Sequence, residues 1–117
     1  MGSVAVGIDL GTTFSAIAYV NEFGQPEIIP NASGDSITPS VILFEDSDII
    51  VGNYAKQAAM VYPEQVVEFV KRSMGESDYT FQYRGQGYGT EELSSYILSK
   101  LKADAERRLG QQITQAV

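Results

Sequence analysis

Val4-Ala5-Val6-Gly7-Ile8 and the run from Phe14 to Val20 are short, apolar and rich in β-branched residues. The pattern predicts two strands, the first of them mostly buried. Only Asp9 to Thr13 separates them. A turn at 21–25 and a short third strand at Pro26-Glu27-Ile28-Ile29 complete a three-strand meander over residues 4 to 29. A polar stretch rich in turn formers follows at 31–40, long enough to mark a passage between subdomains. Val41 to Phe44 and Ile49 to Val51 flank an acidic turn and predict a second hairpin. Asn53 is placed to cap a short helix that runs through Met60 and stops before Pro63.

Residues 64–74 fit either a strand or a helix, and a partly helical segment closed by Gly75 is the preferred expectation. Residues 78–89 alternate well enough for a third hairpin with Gly85-Gln86-Gly87 at its tip, its Tyr and Phe side chains serving as cross-strand packing. Thr90 to Leu109 gives the clearest helix. Thr90 is placed to cap it, Glu91 and Glu92 suit its positive end, Arg107 and Arg108 its negative end, and Gly110 stops it. Leu93, Ile97, Leu101, Ala105 and Leu109 form one stripe for burial, with Leu98 beside it, and the charged residues elsewhere on the helix read as a solvated surface. Ile113 to Val117 has strand character and stops without a turn residue or polar tail, which suggests a truncated chain. The elements add up to an α/β fold: a mixed sheet from a three-strand meander plus a small α/β subdomain.

Composition narrows the chemistry. A length of 117 residues suits one domain with a modest core. The net charge of -7 argues against nucleic acid as a partner, because that binding is driven by clustered Lys and Arg. The chain has no Cys and no His, which removes disulfides, thiolate nucleophiles, imidazole acid–base chemistry and the common zinc sites. Any metal must be held by oxygen, hence Mg²⁺ or Ca²⁺. No run reaches membrane-spanning length and no basic, apolar leader opens the chain, so a cytoplasmic protein without a membrane partner is expected.

Against that background Asp9-Leu10-Gly11-Thr12-Thr13 stands out. A Gly beside two hydroxyl residues suits a tight turn, since Gly permits positive φ and close backbone approach. Asp9 is harder to explain, because a carboxylate closing a buried strand needs its charge compensated. Backbone N–H groups and threonine hydroxyls converging on a turn can hold phosphate oxygens, while a nearby Asp holds Mg²⁺ through the metal's waters. A ligand-free hairpin turn and half of a Mg-nucleotide site both satisfy these residues.

Gly7-Ile8-Asp9-Leu10-Gly11-Thr12-Thr13-Phe14-Ser15 resembles the first phosphate-binding signature of the DnaK-type heat-shock chaperones, members of the actin-like ATPase superfamily with a ribonuclease H-like fold. Residues 27–44, with their Thr38-Pro39-Ser40, resemble the passage into the second subdomain of that family. Residues 51–75 resemble its next helix and Lys-Arg segment, and 90–117 its long helix and following strand. The similarity runs in order over nearly the whole chain. Two departures stand out: the segment between Gly75 and Thr90 is short, and Phe14 stands where the family often has Tyr.

The resemblance implies a partial actin-like ATPase fold, with residues 1–38 in the phosphate-binding subdomain, 39–112 in a small α/β subdomain, and 113–117 returning to the first. It implies ATP or ADP with Mg²⁺ as cofactors. Gly11, Thr12, Thr13 and Phe14 would surround the β- and γ-phosphates, Asp9 would meet Mg²⁺ through water, and Lys71 would be catalytic at the γ-phosphate. Unfolded polypeptides and co-chaperones are the implied partners of a full-length protein that hydrolyses ATP. The family's second phosphate loop lies later in a longer chain, so residues 1–117 alone are expected not to turn over ATP. Strand edges around Val4 to Val20 and Ile113 to Val117 are expected to invite self-association. The rival readings are a sugar or small-molecule kinase of the same superfamily and a non-catalytic interaction module.

Overall fold

The computed structural model describes residues 4–68 and 79–117. The main sheet contains β1 (Val4–Leu10), β2 (Phe14–Val20), β3 (Pro26–Ile28), β4 (Thr38–Pro39) and, from the far end of the chain, β10 (Ile113–Ala116). Its order is β10-β1-β2-β3, with β4 also paired to β2. The β1–β2 and β2–β3 pairs are antiparallel, and β10 runs parallel to β1. A second sheet is built from β5 (Val41–Glu45), β6 (Asp48–Val51) and β7 (Val66–Glu68), with β5 in the centre. The hairpin of β8 (Thr80–Tyr83) and β9 (Gln86–Gly89) leads into α2 (Thr90–Leu109), while the short α1 (Asn53–Ala58) follows β6.

One helix unites these parts. Leu93, Ile97, Leu101 and Ala105 of α2 are buried in a single core with Val6 and Ile17 of the main sheet, Ile42, Phe44 and Val67 of the second, and Ile113 of β10. Four consecutive residues of β5, Val41 to Phe44, are buried because both faces of that strand are covered. Ile42 and Phe44 turn toward the α2 core, whereas Val41 and Leu43 pack with Ala55 of α1 and Val66. The Phe44 ring is surrounded by Phe81, Tyr83 and Tyr88, with ring centroids 5.2, 5.5 and 4.6 Å away. The β8–β9 hairpin is therefore a lid of aromatic side chains over the second sheet. Burial raises the Tyr79 phenol. The Tyr96 phenol is pushed up to about 12 by burial, then by its 3.0 Å hydrogen bond to Glu92 and that carboxylate's charge.

Several expectations need correction. The first strand extends through Leu10, so Asp9 lies inside it, opposite Ala16. It is not mostly buried: Val6 is buried, but Asp9 is exposed. Alternation sends Val6, Ile8 and Leu10 toward α2 and Ala5, Gly7 and Asp9 to a face that no helix of the described residues covers. The argument from desolvation of Asp9 therefore falls. Nor is β1 a free edge, since β2 and β10 flank it, although β10 and β3 do end the sheet among the described residues.

Asn53 does not cap α1. The cap position falls on Gly52, the helix ends at Ala58, and Asn53 Nδ2 donates instead to Asp35 Oδ2 at 2.9 Å. Within 64–74, Glu64 and Gln65 complete a short 3-10 turn begun at Pro63, and Val66–Glu68 is then a strand instead of further helix, because β5 offers an edge for it to pair with. The rest of that segment, with Gly75, lies outside the described residues. The third hairpin turns one residue early, at Arg84-Gly85, where both residues have positive φ, 50° and 79°. Gly89, not Thr90, occupies the cap position of α2, whereas Gly110 closes it as expected with φ 67°. Leu98 is exposed beside the stripe. Asp104, expected on the solvated face, is buried: it takes Lys100 Nζ at 3.1 Å and the Ala32 N–H at 3.2 Å. The polar stretch 31–40 is more than a loop, for it contains β4 and buries Asn31, Thr38 and Ser40.

Candidate functional site

The residues singled out by sequence meet at the turn between β1 and β2. With Asp9 drawn into the strand, the connection shrinks to Gly11, Thr12 and Thr13. Thr12, Thr13 and Phe14 are exposed. By strand alternation Asp9 and Phe14 share the open face of the sheet, since Ala16, two residues beyond Phe14, is the cross-strand partner of Asp9. Lys71 lies outside the described residues.

Gly11 is required for close approach. A Cβ placed on it would collide with the carbonyl oxygen of Phe14, a backbone atom that no side-chain rotation can move. The freedom for positive φ that a turn glycine often supplies is not used here, as Gly11 is absent from the positive-φ residues.

The underside of the turn is held by Ser40. Its Oγ donates to the Gly11 carbonyl at 2.8 Å, and its N–H donates to the Thr13 carbonyl at 2.9 Å. The peptide bonds are trans, so each carbonyl points opposite to the N–H of the following residue. With the Gly11 and Thr13 carbonyls turned toward Ser40, the N–H groups of Thr12 and Phe14 face away from it. Two N–H groups free of the Ser40 contacts, beside the exposed Thr12 and Thr13, are donors of the kind an anion takes.

The electrostatic surroundings agree with that use. Lys56, on α1, holds its Nζ 5.0 Å from the centroid of the Phe14 ring, a cation–π contact that brings positive charge to the turn of an otherwise acidic chain. Among the described residues no three carboxylates converge into a metal cage. Asp9 alone suits Mg²⁺, which binds through one or two carboxylates, its own waters and substrate phosphates. A groove of about 520 Å³ between α2, β1 and β10 is apolar and lies on the opposite face from Asp9, so it is not this site. Lys56 carries no signal in the sequence, and Ser40 carries none beyond the Thr38-Pro39-Ser40 resemblance, which gives it no role at the turn. Ser40 reaches a partner 29 residues away, and Lys56 is one of several helix lysines until the fold sets it over Phe14.

The family model described as Hsp70 protein matches residues 5–84, well over half of the chain. The chain belongs to the Hsp70 family. It is 47% identical over 112 residues to the chaperone protein DnaK of Halobacterium salinarum, a match covering 96% of this chain and 18% of that protein. The DnaK of Thermotoga neapolitana is 48% identical over 113 residues, again 96% of this chain and 19% of the relative. This Hsp70 chain thus spans less than a fifth of the length of the curated relatives it matches. Its mixed α/β architecture is that of a partial actin-like ATPase fold. No helix among its described residues is long and apolar enough to cross a membrane.

Proposed function

We propose that this chain supplies the first phosphate loop, and the lobe that supports it, to a Mg-ATP-dependent chaperone ATPase. The observation that carries the reading is the β1–β2 turn, whose Gly11 and Thr13 carbonyls are tied down to Ser40, so that the Thr12 and Phe14 N–H groups face away from it. In this reading Gly11, Thr12, Thr13 and Phe14 hold the β- and γ-phosphate oxygens. Asp9 holds Mg²⁺ through the metal's waters, and Lys71 reaches the γ-phosphate. When bound, the metal neutralises charge on the phosphates. The chain's own contribution is placement, which dominates catalysis of phosphoryl transfer.

Residues 1–38 and 113–117 form the phosphate-binding subdomain in this proposal, and 39–112 the smaller one. The relatives are several times longer, so hydrolysis, and its coupling to unfolded polypeptide, are proposed for a protein of their length. Residues 1–117 alone bind Mg-nucleotide weakly and do not turn it over. The test is titration of the ¹⁵N-labelled chain with millimolar Mg-ADP. Shifts confined to the amides of Thr12, Thr13 and Phe14, and weakened in Asp9→Ala, are expected; unmoved amides at that turn would refute the proposal.

A further inference from the structure

Resting on the phosphate-loop reading above, we infer that Ser40 is the positioning residue of that loop: it aims the Thr12 and Phe14 N–H groups at the ligand without touching the ligand itself. The side chain is 1% exposed, and it reaches the turn from a different segment of the chain. Its one hydroxyl proton goes to the Gly11 carbonyl, which can only accept. The 2.8 Å contact between the hydroxyls of Ser15 and Ser40 must then have Ser15 as donor. The Gly11 and Thr13 carbonyls are thus held by one residue, through its Oγ and its N–H, and two peptide planes are fixed together. Hydrogen bonding at the Gly11 carbonyl also polarises its peptide unit, which strengthens the Thr12 N–H as a donor.

Ser40 is itself held in place. Thr38 and Pro39 pair with Ser15 and Phe14 across β2 and β4. Asn31 Nδ2 donates to Thr38 Oγ1 at 3.1 Å and to the Ile37 carbonyl at 3.2 Å, while Asn31 Oδ1 accepts the N–H groups of Ser33 and Asp35, both at 2.9 Å. The neighbouring Ala32 N–H is anchored on Asp104 of α2. The turn therefore takes its orientation from the helix at the centre of the core. A hydroxyl serving only to satisfy the interior would not need this geometry. Ser15 shows the contrast: it is equally buried, and its hydroxyl contacts Ser40 rather than a turn carbonyl.

The test compares wild type, Ser40→Ala, Ser15→Ala and Ser40→Cys, the last keeping the shape with a weak S–H donor. Backbone amide order parameters are measured first without ligand, then affinity for Mg-ADP. In Ser40→Ala the order parameters of Thr12 and Phe14 should fall from about 0.85 to below about 0.6. Mg-ADP binding should weaken about tenfold, the loss of roughly one hydrogen bond's worth of organisation. Ser15→Ala should lose similar stability to urea yet keep loop order and affinity, and Ser40→Cys should fall between. Should Ser40→Ala fail to fold, Ser40→Cys against Ser15→Ala carries the comparison.

Unchanged order in the Ser40 variants, or equal loosening in Ser15→Ala, would overturn the inference. Equal Mg-ADP affinity in wild type and Ser40→Ala would overturn it alone. A wild-type loop that is ordered but indifferent to Mg-ADP would instead overturn the phosphate-loop reading and the inference with it.

Discussion

Gly7 and Gly11 lie four positions apart on the same β1–β2 hairpin, and they differ in one measurable respect. A Cβ on Gly7 meets nothing within 4 Å, whereas a Cβ on Gly11 meets the Phe14 carbonyl oxygen. Replacing Gly by Ala at a compatible position stabilises a protein by about 0.4–1 kcal/mol, mostly by restricting the unfolded chain. Gly7→Ala should show that gain. Gly11→Ala has the same unfolded-state benefit but must push backbone against backbone, and forced overpacking of this kind costs about 1–3 kcal/mol. The turn cannot relax freely, because movement of the Gly11 or Thr13 carbonyl breaks a hydrogen bond to Ser40.

The two variants should therefore differ by roughly 1–3 kcal/mol. For a urea m-value of about 2 kcal/mol/M this separates their midpoints by about 0.5–1.5 M. The chain has seven Tyr and no Trp, so tyrosine emission and far-UV circular dichroism are the natural probes. Amide shifts of Thr12 and Phe14 should move in Gly11→Ala and stay put in Gly7→Ala. Coincident midpoints together with an undisturbed turn in Gly11→Ala would refute the close-approach argument.

Phe44→Leu keeps an apolar side chain at the centre of the aromatic cluster but loses the ring contacts to Phe81, Tyr83 and Tyr88. Aromatic pairs contribute about 0.5–1.5 kcal/mol beyond area, so a loss of about 1–3 kcal/mol is expected in urea unfolding. Tyr96 gives a pH dependence. Its phenol is raised to about 12 in the folded chain, so the unfolded chain gives up this proton first, near pH 10. Between those values the native state binds more protons, and stability falls as pH rises. Urea midpoints across that window should fall less steeply in Tyr96→Phe than in wild type.

The legible parts of the sequence are those where the partner lies nearby. The span of α2 was readable from its stripe of Leu93, Ile97, Leu101 and Ala105 and the stop at Gly110, and β2 from its β-branched run. The same holds for the phosphate-loop candidates, because Gly11, Thr12 and Thr13 are adjacent in sequence. What stayed hidden depends on partners far away. Val66 to Glu68 has no decisive local preference, and it becomes a strand because β5 presents an edge to it. Asp104 looks like any helix acid until Ala32 and Lys100 converge on it. Asp9 seemed buried because its strand is apolar, yet its exposure depends on which face of the sheet is covered, and alternation alone does not say that.

The parallel pairing of β1 with β10 has a kinetic consequence. Val4 lies against Ile113, and the Ile8 N–H donates to the Val117 carbonyl, partners on the order of a hundred residues apart in the chain. On the ribosome, where synthesis runs at roughly 5–20 residues per second, β1 must wait on the order of ten seconds for this neighbour. During that interval β1 can zip to β2 on one side, while its other side stays open to any extended segment of nascent chain. The β1–β2 hairpin can thus form well before β10 arrives to lock its other side.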